Sequence, residues 1–131
     1  MLLLLKFIII QMPQNINFEK NEYCYKIYVN DKSAGFCNFV MLENESNIYI
    51  TYLEITHDCR NNGLGSVLLK EVLKDAYKKG ISSVKLTDAS DNCRRQHNIY
   101  KKIGLHYRER DGDGEMIGNL RHIIRRYVSK L

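Results

Sequence analysis

One stretch, Ser66 to Lys79, limits the fold more than any other. Leu68, Leu69, Val72, Leu73, Ala76 and Tyr77 recur on one side at helical period, and Lys70, Glu71, Lys74, Asp75, Lys78 and Lys79 fill the other. Such a segment is an amphipathic helix that needs an apolar surface to lie on. Gly80 suits the left-handed residue that ends it. The flanking segments read as strands and supply that surface. Ile48 to Thr56 (IYITYLEIT) precedes the helix, and Ser83 to Ala89 (SVKLTDA) follows it with strand alternation. A strand, a crossover helix and a second strand then form a parallel pair.

The rest of the chain reads as mostly antiparallel. Tyr23 to Val29 (YCYKIYV) and Ala34 to Leu42 (AGFCNFVML) are joined by the turn formers Asn30-Asp31-Lys32-Ser33, and Glu43 to Asn47 leads on to Ile48. Cys93 to Ile103 has a helical pattern closed by Gly104. Leu105 to Arg110 reads as a further strand, and Asp111-Gly112-Asp113-Gly114 as a turn. Met1 to Ile10 (MLLLLKFIII) is too short to span a bilayer and lacks the charged start and cleavage site of a secretory signal. It reads as a buried strand ended near Pro13, with Asn15 to Asn21 a polar stretch after it. At the other end, Leu120, Ile123, Ile124, Tyr127 and Val128 follow helical spacing, yet the run is β-branched and aromatic. With no repeat or linker, residues 1–131 read as one α+β domain.

Composition narrows the function only a little. A net charge of +5 points to an anionic partner without choosing one, and Arg121, Arg125, Arg126 and Lys130 make the C-terminus locally basic. The four cysteines, Cys24, Cys37, Cys59 and Cys93, include no C-x-x-C pair, which suits reduced thiols in a cytoplasmic chain. The Asp111–Gly114 turn lacks EF-hand spacing, so no metal is expected.

Chemistry enters at Arg60-Asn61-Asn62-Gly63-Leu64-Gly65-Ser66, between the third meander strand and the helix. The free N–H groups and dipole of a helix start favour an anion, and glycines let a phosphate approach the backbone. No Gly-Lys-Ser/Thr follows at Walker A spacing, and the third glycine of a dinucleotide fingerprint is absent. On these residues alone the loop is either an anion site or a tight strand-to-helix turn.

Arg60-x-x-Gly63-x-Gly65 resembles the Gln/Arg-x-x-Gly-x-Gly/Ala motif of GNAT-type acetyltransferases, and Tyr100 with Gly104-Leu105 resembles that family's second signature. The resemblance covers Ile48 to the C-terminus. It implies a mixed, mostly antiparallel central sheet with helices on both faces, and an N-terminal helical region shortened here to what Gln11 to Glu22 can hold. It implies acetyl-CoA as co-substrate and no metal. Ile55, Arg60, Asn61, Asn62, Gly63, Leu64, Gly65, Ser66, Asn92 and Tyr100 would then hold the coenzyme, and Tyr100 would protonate the departing thiolate. Where the family commonly has Pro and Tyr before the loop's arginine, this chain has His57 and Cys59.

Within the family, three stretches resemble the glucosamine-6-phosphate N-acetyltransferases: Val84 to Asn92, Asn98 to Gly104, and His122 to Val128. That implies a homodimer acetylating a phosphorylated amino sugar. Asp88 would hold the sugar and Arg125 or Arg126 its phosphate, from a final strand, where only one of the two could face it. Thr51 and Tyr52 replace a Glu-Asp pair of those enzymes. Glu54, Asp88 and His57 are the candidate bases for direct attack of a neutral amine. No cysteine has the neighbours of an activated nucleophile. The rival acceptors are a protein amine or another small amine. A nucleic-acid-binding module using Arg94, Arg95, Arg121, Arg125 and Arg126 is the distant alternative, without a motif to support it. Neither a membrane nor a nucleic-acid partner is expected.

Overall fold

The computed structural model describes residues 15–60, 62–88, 99–109 and 114–128. The strand expected at Met1 to Ile10, the start of the helix expected from Cys93, and residues 111–113 of the turn lie outside them. Four strands open the described chain: β1 (Ile16–Lys20), β2 (Cys24–Val29), β3 (Lys32–Leu42) and β4 (Asn47–Ile55). They pair antiparallel in sequence order. Asn30 and Asp31 both take positive φ, 51° and 67°. That is the geometry a two-residue hairpin needs to match strand twist.

Helix α1 (Leu64–Lys78) then carries the chain over to β5 (Ser83–Thr87), which pairs parallel with β4. Next come α2 (Ile99–Lys102), β6 (His106–Tyr107) and β7 (Glu115–Asn119). The seven strands form one sheet in the order β1-β2-β3-β4-β5-β7-β6. The expected α+β plan, with one crossover helix joining the parallel pair, is therefore what the chain adopts. Strand β1 was not expected. Its Ile16 and Phe18 turn inward between exposed neighbours, an alternation hidden in a stretch that reads as polar.

The tail corrects a second expectation. Residues 122–128 are helical, not the final strand that the resemblance implied: α3 (Leu120–Ile123) runs into a π-helical turn, Ile124–Val128. The antiparallel partner of β5 is instead Glu115–Asn119. Leu120 and Ile123 are buried completely, and the Asn119 side chain accepts from the His122 N–H at 3.0 Å to cap the helix. Burial of the i, i+3 pair outweighed the β-branched composition.

Leu68, Leu69, Val72 and Leu73 of α1 are fully buried in the same core as Ile27, Cys37, Ile48 and Val84 of the sheet. Burial of each such side chain contributes about 1.5–3 kcal/mol relative to exposure. Among the described residues α1 and α3 lie against one face of the sheet, and none of the described helices is long and apolar enough to cross a membrane.

A polar clamp ties β1 to α1. Lys20 Nζ bonds Glu71 and Asp75 at 2.8 Å each, and the Tyr25 hydroxyl donates to Asp75 at 2.9 Å. Burial alone would raise both carboxyl pKa values, but the hydrogen bonds from Lys20, joined by Lys74 on Glu71 and Tyr25 on Asp75, outweigh it and hold both below the usual carboxylate range. Burial would lower the Lys20 pKa, yet the bonds to Asp75 and Glu71 raise it. Depressed carboxyl values mean stability held above the ordinary carboxylate range and lost as pH falls through the folded values. The raised lysine value means a contribution lost only in strong alkali. Lys20→Met is therefore expected to lower stability by about 0.5–1 kcal/mol at neutral pH. The gap from the parent should close below about pH 4, where the carboxyls protonate. Urea melts at pH 7 and pH 3 check this, and a gap independent of pH would assign the effect to packing.

Candidate functional site

The site begins where the parallel pair parts. Strand β4 pairs with β5 only from Asn47 to Ile50, and a bulge opposite Asn38/Phe39 follows at once. Beyond it, β4 from Thr51 to Ile55 keeps β3 as partner on one side, while β5 ends at Thr87. The two strands make a fork. Backbone groups on the inner edge of β4 are therefore offered to a ligand.

The loop closes the wide end of the fork. Arg60 Nε donates to the Ile55 carbonyl oxygen at 3.0 Å, tying the loop to the end of β4. Gly63 takes φ +75° at the N-cap of α1, without a side-chain cap and without an acid in the first turn. The first-turn amides thus have no intrahelical acceptor, and the dipole there is uncompensated. A Cβ on Gly65 would come within 3.3 Å of Ile99 Cδ1 and 3.5 Å of Ile55 Cγ1. Glycine there lets α1, α2 and β4 converge around one hollow.

That hollow is a cleft of about 580 Å³ whose lining includes Ile55, Arg60, Gly63, Leu64, Gly65, Ser66 and Tyr100. Seven of the expected coenzyme residues are thereby brought together. Asn62 is exposed and does not line the cleft, and Asn61 and Asn92 lie outside the described residues. Leu53, Cys59, Ile99 and Lys102 also line it and were missed. For Leu53 the signal was available, since it sits two residues from Ile55 on the same side of a strand. Lys102 brings a cation to the rim two residues after Tyr100.

Tyr100 is half-buried, and its phenol is pushed up to about 12, by burial first and then by the charges of Asp88 and Cys37. It holds its proton throughout the neutral range. Cys37 is itself buried in the core, and burial pushes its thiol up to about 12. Cys24, Cys37 and Cys59 are free thiols.

The candidate carboxylates flank the fork. Glu54 sits on the unpaired half of β4, half-buried, and alternates to the face opposite Leu53 and Ile55. There it lies across from Phe36, which stacks on Tyr52 at 5.5 Å. Asp88 follows the end of β5 and is only 4% exposed. Neither is among the described residues lining the cleft, and His57 is exposed outside it. Arg125 and Arg126 do not alternate across a strand. Both lie on the exposed side of the helical tail and line a shallow hollow of about 800 Å³ with Asn119, Arg121 and His122. Among the described residues no group of three or more His, Cys, Asp or Glu side chains could hold a metal.

The model of the acetyltransferase (GNAT) family matches residues 6–105. Among curated proteins the sequence has no match. Solved structures with the same fold include the PaiA N-acetyltransferase of Thermoplasma acidophilum in complex with coenzyme A, at TM-score 0.63 and 19% identity over 73% of this chain. The chain spans 59% of that protein's length. The ribosomal-protein-S18-alanine N-acetyltransferase of Escherichia coli has TM-score 0.61 and 19% identity, covering 78% of this chain and 72% of its own. The spermidine/spermine N-acetyltransferase SpeG of Vibrio cholerae, in complex with manganese ions, has TM-score 0.66 and 13% identity, covering 83% of this chain and 72% of its own. At such identities these neighbours speak to the fold. The family match covers most of the sequence, and the chain belongs to the acetyltransferase (GNAT) family.

Proposed function

We propose, from that membership, that the protein transfers acetyl from acetyl-CoA directly to a primary amine, with the cleft in the β4–β5 fork as its active site. The observation that carries this is one hollow lined by the α1 N-terminus, the open edge of β4 and a protonated Tyr100. The amides of Gly63 to Ser66 hold the pyrophosphate, helped by the Lys102 ammonium at the rim. The free β4 edge around Leu53 to Ile55 pairs with the pantetheine amides. An amine nitrogen attacks the thioester carbonyl, the C–S bond breaks, and the sulfur takes the Tyr100 proton. The proton lost by the amine passes through water to a carboxylate, Asp88 or Glu54, one on each arm of the fork and neither in the cleft lining. No acyl-enzyme is needed, and Cys37 is buried and protonated.

For glucosamine 6-phosphate, a tail arginine must reach the phosphate. The hollow with Arg125 and Arg126 shares no described lining residue with the cleft. Asn119, on its rim, pairs with Ser83 at the start of β5, roughly 13 Å along the strand from its Asp88 end. A phosphate held there suits an acceptor bound in a neighbouring subunit, in keeping with a homodimer. The second reading is a peptide or polyamine acceptor, as the names of the S18-alanine and spermidine/spermine enzymes suggest.

Thiol release from acetyl-CoA, measured across glucosamine 6-phosphate, glucosamine, spermidine and a peptide with a free N-terminal alanine, tests both levels. Release above hydrolysis with at least one amine is expected. Release with none would sink the transferase reading. Equal turnover of glucosamine and its phosphate would remove the phosphate role from Arg125 and Arg126.

A further inference from the structure

Asp88 is a carboxylate taken almost wholly out of water. Its N–H donates to the Gly114 carbonyl at 2.8 Å, which pins the backbone just past β5. A carboxylate so buried needs donors, or it stays protonated. Tyr107, on β6, supplies one: its hydroxyl donates to Asp88 Oδ2 at 2.5 Å. The Lys101 ammonium of α2 lies 5.1 Å from the centre of the Tyr107 ring, so a positive charge backs the same phenol.

We propose that Tyr107 is a positioning residue for acetyl transfer, holding the Asp88 carboxylate ionised and fixed behind Tyr100, just outside the cleft lining. The inference rests on the transferase reading of that cleft. Asp88 then accepts, through water, the proton that the amine loses as the C–N bond forms. Electrons from the C–S bond go to sulfur, which takes the Tyr100 proton, so the step balances without another reactant. Tyr107 touches neither reacting atom and acts only through Asp88.

The surroundings fit this division of work. From α2, Tyr100 stands close enough to feel the Asp88 charge, and Lys101 is placed over Tyr107. From the β6–β7 side, Arg108 faces Glu115 at 3.7 Å, a largely exposed ion pair. From β3, Cys37 adds to the Tyr100 shift only where its own thiol ionises, at about 12, so in the neutral range it brings no charge. A hydrogen bond to the charged form lowers a carboxyl pKa, and its loss raises it.

Tyr107→Phe removes the hydroxyl and keeps the ring beneath Lys101. The first measurement needs no substrate: the Asp88 carboxyl carbon is followed by NMR as pH is varied. Its midpoint should rise by about one pH unit or more in the variant. The acid limb of the kcat profile should move up by the same amount, while KM for acetyl-CoA stays constant. In an Asp88→Asn background, Tyr107→Phe should add nothing further to the loss of kcat. An unmoved midpoint overturns the inference, and so does a moved midpoint with an unmoved acid limb, which would leave Tyr107 holding Asp88 for the fold alone. If the parent turns over no amine while the midpoint still moves, the transferase reading of the cleft has failed and the catalytic role of Tyr107 falls with it.

Discussion

Tyr100→Phe is expected to lower kcat by about 10²-fold or more, with acetyl-CoA affinity almost unchanged. The ring stays, and it is the ring that packs against the core beside Ile99 and the cleft wall. Only the proton donor is lost. Breaking the thioester C–S bond leaves a thiolate, and in a half-closed cleft water is a poor substitute for a fixed phenol. Burial and the Asp88 charge push that phenol up to about 12. Its donor form is therefore full below about pH 10 and lost only as pH rises through the folded value. An alkaline limb in the kcat profile near pH 8 would have to come from another group. Steady-state kinetics with equilibrium binding of coenzyme A separate the two quantities. Turnover equal to the parent would make Tyr100 a packing residue, and a matched loss of coenzyme affinity would place its role in binding.

The chain displays its chemistry more openly than its edges. Gly63, Gly65 and the amphipathic face behind them were legible because a positive-φ N-cap and a close approach of three elements favour glycine, and a helix laid on a core shows its period. The fork was not. It depends on where β4 stops pairing with β5 after Ile50 and on a bulge opposite Asn38/Phe39, and no side chain announces either. The tail shows the opposite failure. Its i, i+3 spacing through Leu120 and Ile123 pointed to a helix, and a resemblance argued it into a strand. The physical pattern was the better guide, because burial of Leu120 and Ile123 decides the element whatever the β-propensity of the residues between. Once the tail is helical, Arg125 and Arg126 share one exposed side, and the reasoning that let only one of them face a ligand no longer applies. Strand β1 and β7 were lost for a smaller reason. Five-residue strands with polar outward positions, INFEK and EMIGN, carry too few alternations to stand out from loops.

Gly35→Ala should be the most damaging small change outside the cleft, and it links fold to function. Gly35 pairs with Ile55, and a Cβ built there falls 2.4 Å from the Glu54 carbonyl oxygen and 2.7 Å from Ile55 Cδ1. Ile55 Cδ1 can swing aside, but the Glu54 carbonyl cannot move without opening the β3–β4 ladder. Overpacking of this kind costs about 1–3 kcal/mol, which for a chain this size lowers Tm by roughly 4–12 °C. The strain does not stay in the ladder. The same strand end carries the Ile55 carbonyl that Arg60 holds, and the Thr56 N–H bonded to Ala34 O at 2.8 Å. A shift of β4 there moves one wall of the cleft, so KM for acetyl-CoA should rise along with the fall in Tm. Gly80→Ala separates the two effects. Gly80 has φ +90° with open space around it and lies beyond the far end of α1. Its substitution should cost stability through backbone strain of about 1 kcal/mol and leave acetyl-CoA kinetics alone. If Gly35→Ala melts like the parent, β3 and β4 are not packed as closely at Ile55 as described. If it melts early but binds coenzyme A normally, the end of β4 does not form the cleft wall.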